Sequence, residues 1–386
     1  MVQPNRRSED ERSQPYLRAA HVQPNGVLDF SVEEKPMWFS AREVMNLDLR
    51  RGDVVVVEGG AGCGRAAFLR NDLHGWGFQN SIVRLRPYPD RSEGRFLTYC
   101  LLASLSSGAI EIATSTATLP HFTAEKVGRF RVPHLSLSQQ SASADYLDRE
   151  TAEIDTMDAE LDHLVRTLVE RRSWVGNAAF RGLEVESVLM QYVADVTVGI
   201  VIEPSKLYVQ HPQGVPALRG LNVGPGFIRD ADVVHISDAG HALHAKSQLS
   251  EGDLVTVRTG QVGVTAMVPA SWNGANAIDL VITRPHEGLD PHFLYWFLTS
   301  DDTMLLMDSQ KVGSVQAHFN VGAMKRLSVP LPPLAEQRRI VAELDEQTAR
   351  IDDMIADAQR LKALLAERRA TLITEVVTGR KEVPAP

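Results

Sequence analysis

Only two cysteines, Cys63 and Cys100, occur in 386 residues. They are too few for a disulfide framework and neither sits at a metal-ligand spacing, so both are expected as reduced thiols. No apolar run approaches the roughly 18 residues that cross a bilayer. The opening MVQPNRRSEDERSQ has no apolar stretch behind its basic residues, which argues against a secretory signal; a cytoplasmic protein without membrane contact is expected. Aromatics are 6% of the chain, too few for the stacking faces of a single-strand nucleic-acid binder. What remains is an ordinary globular balance, 23% charged and 44% apolar, in a chain long enough for two domains, each with its own core.

Catalytic constellations are also scarce. The strand-like VVVVEGGAGCGRAAF (54–68) has the outline of a methyltransferase cofactor loop and half-matches a phosphate loop, but Arg65-Ala66 stands where Lys-Ser/Thr is required. The equivalent stretch later in the chain, VTVRTGQVGVTA (255–266), keeps the strand and loses the glycine pattern. No acid follows at the end of a next strand, since QNSIVRLRP (79–87) is basic, and no Asn-Pro-Pro-aromatic motif occurs. A glycine-rich turn is the better reading. His241 and His244 have an i, i+3 spacing but no Cys or clustered carboxylate completes a metal set. No nucleophile–base pair stands at a recognisable spacing. Catalytic residues, metal ligands and a resident cofactor are therefore not expected in this chain.

The net charge of -9 is unevenly spread. Residues 1–141 carry +2, residues 142–172 carry -5, residues 173–333 carry -5 and residues 334–370 carry -1. That balance argues against strong sequence-independent DNA binding by the chain alone, and leaves room for a local basic face or a partner that supplies phosphate contacts.

The organising feature is duplication. Residues 118–172 align without a gap on 315–369, a shift of 197. His121-Phe122 falls on His318-Phe319, Val132-Pro133 on Val329-Pro330, Gln140 on Gln337, Ile154-Asp155 on Ile351-Asp352, and Glu170-Arg171-Arg172 on Glu367-Arg368-Arg369. Earlier segments match at nearly the same shift: LRRGDVVVV (49–57) with LSEGDLVTV (249–257), PYLRAAHVQP (15–24) with PALRGLNVGP (216–225). The β-branched runs 54–57 and 254–257 read as strands entering turns. RFLTYCLLASL (95–105) and HFLYWFLTS (292–300) read as buried helices.

Each half ends in a long polar segment. From Ala335 to Leu372 there is no Gly or Pro, and Ile340, Leu344, Ile351, Met354, Leu361 and Leu365 recur in steps of four and three, the 3.5-residue period of a coiled-coil seam. The first copy keeps it with Leu147, Ile154, Met157, Leu161, Leu164 and Leu168. At about 1.5 Å per residue, roughly 38 residues make a rod of about 55 Å.

At these residues the chain resembles a known family. VPLPPLAEQRRIVAELDEQTARIDDMI (329–355), continuing to LLAERRATLITEVVTGR (364–380), looks like the conserved C-terminal region of type I restriction–modification specificity subunits, and its first-half counterpart strengthens the likeness. The resemblance implies an α/β chain with two target-recognition domains of mixed helices and strands, separated by two long helices packed as an antiparallel coiled coil. The boundaries expected are a first domain over 1–141, a first helix over 142–180, a second domain over 181–333 and a second helix over 334–378. It implies a non-catalytic subunit that binds a two-part, asymmetric double-stranded DNA target and recruits two methyltransferase and two restriction subunits, with S-adenosylmethionine, ATP and Mg held by those partners. Paired readers usually meet half-sites about 34–36 Å apart. The other reading is a coiled-coil scaffold, or a remnant with an impaired first domain.

Candidate DNA contacts are Arg65, Arg258 and Gln261 at the strand-to-turn positions, the shared anchors Arg18 and Arg219, and Lys126 and Lys325 ahead of the long helices. The heptad residues named above are the candidates for helix pairing and subunit docking. One asymmetry stands out. About 30 residues (186–215), including the strand-like VTVGIVI (196–202), precede Pro216, but only 14 precede Pro15. The first module is expected to be truncated, started late or completed differently.

Overall fold

In the computed structural model, residues 5–33, 35–114, 120–310 and 318–383 are described; the first positions of the aligned repeat, 118–119 and 315–317, lie outside them. The chain divides into two compact units, Met1–Asp162 with Gln359–Pro386, and His163–Ala358. Each unit takes a part of both long helices.

In the first unit, β1 (Arg12–Leu17) pairs antiparallel with β2 (Pro36–Phe39), which leads into α1 (Ala41–Asn46). A second, three-stranded antiparallel sheet follows, with β3 (Val54–Val57) in the middle, flanked by β4 (Ala66–Phe68) and, after β5 (Gly77–Phe78) pairs parallel with β1, by β6 (Ile82–Leu85). All four valines of β3 are buried, as a fully covered central strand requires. Helices α2 (Gly94–Ser106), α3 (Ala109–Thr114) and α4 (Ala124–Arg129) complete the module before α5 (Leu137–Arg181). Ser136 and Gln139 cap α5 reciprocally, each side chain accepting the other's backbone N–H.

The second unit repeats this plan and adds to it. Strands β7 (Ser187–Leu189) and β8 (Ala194–Val198), with α6 (Met190–Val193) between them, and β9 (Tyr208–Val209) come first. They precede β10 (Val215–Leu218), the hairpin β11 (Val223–Gly224) and β12 (Phe227–Ile228), β13 (Val234–Ile236) and α7 (Asp238–Leu243). The central sheet has four strands, in the order β15 (Thr265–Met267), β14 (Leu254–Val257), β17 (Leu280–Pro285), β8. The short β16 (Asn276–Ala277) pairs parallel with β10. Helices α8 (Pro291–Thr299), α9 (Asp301–Ser309) and α10 (Val321–Lys325) and strand β18 (Ser328–Pro330) lead to α11 (Leu334–Val377). That helix stops at Gly379, left-handed at φ 72, where Arg380 N–H reaches the Glu375 carbonyl and Gly379 N–H that of Val376, the glycine-terminated arrangement that satisfies the last free carbonyls.

Within the first unit, residues 137–162 of α5 run antiparallel to 359–377 of α11. Leu147 and Ile154 share a core with Leu365, Leu372 and Val376, while Lys362 pairs with Asp158 (3.5 Å) and Asp162, and Arg369 with Asp155. Within the second, residues 163–181 face 334–358: Leu168 and Val175 share a core with Ile340, Leu344 and Ile351, and Arg172 pairs with Asp352 at 2.8 Å. The Asp155–Arg369 and Asp352–Arg172 pairs are the same pair in the two copies of the repeat. Each buried Leu or Ile contributes roughly 1.5–3 kcal/mol.

The seam is narrower than the 3.5-residue pattern suggests. Leu147, Ile154, Leu168, Ile340, Leu344, Ile351 and Leu365 are buried and Leu161 partly so, but Met157, Leu164, Met354 and Leu361 are 36–49% exposed. Positions seven apart turn into each helix pair, and the second row of the expected seam, Ile340 excepted, faces outward, because the other side of each helix pair rests on the module's own α2 or α8. Phe96 and Tyr99 of α2 and Phe293 and Phe297 of α8 fill those cores.

A buried glutamine fixes each long helix to its module. Gln337 Oε1 accepts the Asp290 N–H (2.8 Å) and its Nε2 donates to the carbonyls of Gly288 (2.8 Å) and Pro332 (2.9 Å). Gln140, 197 positions earlier, does the same with Glu93 (2.9 Å), Arg91 (3.1 Å) and Leu135 (2.9 Å). Tyr99 donates to Asp148 at 2.7 Å in the first unit, and Trp296 to Asp345 at 2.9 Å in the second.

Candidate nucleic-acid interface

The glycine-rich segment 58–65 is a turn between antiparallel strands β3 and β4, so no helix N-terminus stands behind it to receive a phosphate or a cofactor. Gly60 and Gly64 adopt φ of +80 and +82, and a Cβ on Gly64 would lie 2.8 Å from the Ile110 side chain. Those glycines therefore serve the turn itself.

The same corner is built in both units. Phe122 N–H donates to the Glu58 carbonyl (2.6 Å) and Phe319 N–H to the Arg258 carbonyl (3.0 Å), with both rings fully buried. The histidine before each phenylalanine secures the turn differently: His121 bridges to Gly59 through the backbone, whereas His318 Nδ1 lies 2.8 Å from Thr259 Oγ1. A short helix then starts on a side-chain cap, Thr123 for α4 and Asn320 for α10.

Arg65 lies at the end of the β3–β4 turn and Lys126 in α4 of the first unit; in the second, Arg258 and Gln261 lie on the β14–β15 turn and Lys325 in α10. Arg65 is half-buried and makes no ion pair among the described residues. Lys126 Nζ donates to the His121 carbonyl at 3.1 Å. Gln261 is exposed on the turn between Gly260 and Gly263, both left-handed. Arg258 is mostly buried beside Asp279 (3.5 Å), and among the described residues its Nε has no acceptor. Lys325 is half-buried in the last turn of α10.

Arg18 and Arg219 belong elsewhere. Each closes a short turn, its N–H bonded to the side chain three residues on (His21 Nδ1 at 2.9 Å, Asn222 Oδ1 at 3.0 Å). Each guanidinium reaches a backbone carbonyl across the loop, that of Glu33 and of Asp232. Their Nε atoms are buried without an acceptor among the described residues. The basic run at 84–86 is likewise engaged: Arg84 bonds Asp48 (2.8 Å), and Arg86 bonds Asp53 through two nitrogens (both 2.7 Å). Bonding to Asp53 pushes the Arg86 guanidinium further up. Positive charge that looks free in the sequence is thus neutralised inside the fold.

Sequence reasoning missed the roles of His121, His318 and the two glutamines as organisers, although all four fall on the repeat. Burial raises both thiols, Cys100 up to about 12, so neither is a poised nucleophile. Among the described residues no group of His, Cys, Asp and Glu could hold a metal, and no helix is long and apolar enough to cross a membrane.

Comparisons with known proteins converge on one family. The profile described as "Type I restriction modification DNA specificity domain" matches residues 236–361. The type I restriction enzyme EcoBI specificity subunit of Escherichia coli is 23% identical over 325 residues, 77% of this chain and 68% of that protein. Two solved structures share the fold over nearly the whole chain. One comes from work on complex assembly and conformational transition of the type I R-M system (TM-score 0.72, 18% identity, 95% of this chain and 92% of that one). The other is the HsdS subunit from Thermoanaerobacter tengcongensis (TM-score 0.59, 16% identity, 96% and 92%). The duplicated helices and the two modules of mixed strands and helices thus carry a fold shared with solved type I restriction–modification structures, and the sequence likenesses are to type I restriction–modification specificity proteins.

Proposed function

We propose that this chain is the DNA-reading, non-catalytic subunit of a type I restriction–modification complex, and that each unit reads one half of a two-part double-stranded target. The carrying observation is the twice-built corner: one scaffold of strand, turn, buried phenylalanine and short helix presents Arg65 and Lys126 in one copy and Arg258, Gln261 and Lys325 in the other. A shared frame with different side chains on its turns is what two readers of different half-sites need, so the target is asymmetric. Gln261 suits adenine through paired hydrogen bonds and Arg65 suits guanine, while the lysines suit phosphate. The loop-bracing geometry of Arg18 and Arg219 supports an indirect contribution, through the shape of the loops they hold.

With a net charge of -9, the chain depends on partners for most phosphate contacts. Met157, Leu164, Met354 and Leu361, apolar yet exposed at repeated positions of the long helices, are the surface on which two methyltransferase subunits dock; two restriction subunits complete the enzyme. S-adenosylmethionine, ATP and Mg belong to those partners. The test is selection of random duplexes by the reconstituted methyltransferase complex. A split, asymmetric motif is expected, with Gln261→Ala relaxing one half and Arg65→Ala the other. Enrichment of no split motif, or both variants relaxing the same half, refutes the proposal.

A further inference from the structure

A cavity of about 460 Å³ lies inside the first unit, between the loop 25–30, the end of β4, α2 and the paired parts of α5 and α11. That is the size of a small-molecule site. Phe30, Phe68 and Leu102 give it apolar walls, and Arg369 of α11 lines it. Arg369 is 7% exposed. Its Nη1 pairs with Asp155, but among the described residues its buried Nε has no acceptor. The other polar side chains of the wall are engaged. Tyr99 donates to Asp148 (2.7 Å), Thr98 to the Gly94 carbonyl (2.9 Å) and Thr151 to that of Leu147 (2.7 Å). Arg95 pairs with Glu93, Asp145 and Asp148. An unmet buried N–H is costly, most of all on a charged group.

The second unit fills the same place with its own side chains. Tyr295 and Trp296 stand there, 197 positions after Thr98 and Tyr99. The Tyr295 hydroxyl lies so close to Gly226, which answers Asn25 of the loop, that a Cβ on that glycine would come within 2.6 Å of it. Arg172, the counterpart of Arg369, sits 6.0 Å from the centre of the Trp296 ring and gives its Nε to Asp352 at 2.8 Å. The space left beside these rings is about 280 Å³. At the matching place the first unit lacks one aromatic ring and leaves one guanidinium N–H unmet.

We infer that this cavity binds a small aromatic carboxylate. Its ring takes the space that the Tyr295 ring fills in the second unit, and its carboxylate accepts the Arg369 Nε–H. Charge-assisted bonds from arginine to carboxylate are the stronger kind. Three arginines, Arg70, Arg95 and Arg369, line the cavity against two aspartates, Asp148 and Asp155. A single negative charge suits that wall, whereas a dianionic phosphate would meet the aspartates at greater cost. Bound there, the molecule touches both the module and the helix pair of the first unit and stiffens the joint between them.

Calorimetric titration of the full-length chain with naphthalene-2-acetate tests this. Saturable one-to-one binding is expected, with amide exchange slowed at residues 98–102 and 148–155. Arg369→Lys keeps a cation beside Asp155 but removes Nε, and should weaken binding about tenfold or more. Arg172→Lys, the same change in the second unit, should leave it within about twofold. Thr98→Tyr, which gives the first unit the ring of the second, should abolish binding, and so should Ala152→Trp, placed at an exposed position of the cavity wall. The neutral naphthalene-2-acetamide should bind about tenfold more weakly than the acid. Absence of saturable binding, equal loss from Arg369→Lys and Arg172→Lys, unchanged binding to both filled-cavity variants, or equal affinity for acid and amide overturns the inference.

Discussion

Replacing Gln337 with alanine probes the joint between helix and module most directly. Its amide is fully buried and answers three backbone groups, the Asp290 N–H and the carbonyls of Gly288 and Pro332. A net of about 1 kcal/mol per bond puts the loss at about 3 kcal/mol. Gln140→Ala breaks the same three bonds, but Arg91 lies on an exposed loop and its carbonyl can be rehydrated, so about 1–2 kcal/mol is expected. Two units make a single melting curve an unsafe readout. Native-state hydrogen exchange reads each unit separately, through amides of 288–294 and 334–344 in one and 91–97 and 137–147 in the other. A loss below about 0.5 kcal/mol for Gln337→Ala, within the range of neutral surface changes, would refute the reasoning. So would a larger cost at Gln140.

Three further outcomes are expected. Gly64→Ala should cost more than Gly60→Ala, since both need a positive φ but only Gly64 also meets Ile110 at 2.8 Å; differences of about 1–2 kcal/mol in chemical denaturation are anticipated. Met354→Ser with Leu361→Ser should leave stability within about 1 kcal/mol, because both side chains are nearly half exposed, yet abolish co-purification with the methyltransferase subunit. Acid should act in opposite senses on two carboxylates. Burial raises Asp48, but the bond from Arg50 and the charge of Arg86 outweigh it and hold it below its ordinary 3.8. Its contribution is therefore complete above 3.8 and lost as pH falls through the depressed value, and the stability gap between the wild type and Asp48→Asn should close in that window. Burial raises Asp253 above 3.8 despite Arg284, so its share is complete below 3.8 and fades as pH rises through the raised value; Asp253→Asn should narrow its deficit, relative to wild type, as pH rises there.

The amino-acid sequence by itself determined the duplication, the buried strands at 54–57 and 254–257 and the long helices, because each rests on local periodicity or on spacing that survives a shift of 197. It also marked the 186–215 segment as unmatched. Tertiary structure decided the rest. Which heptad residues turn inward depends on α2 and α8 occupying one side of each helix pair, so Met157 and Met354 emerge at the surface while Ile154 and Ile351 do not. Whether an arginine is free depends on carboxylates more than 30 positions away: Arg84 and Arg86 meet Asp48 and Asp53, whereas Arg65 makes no ion pair among the described residues. Charge and periodicity are properties of the chain, but pairing and exposure are properties of the packing.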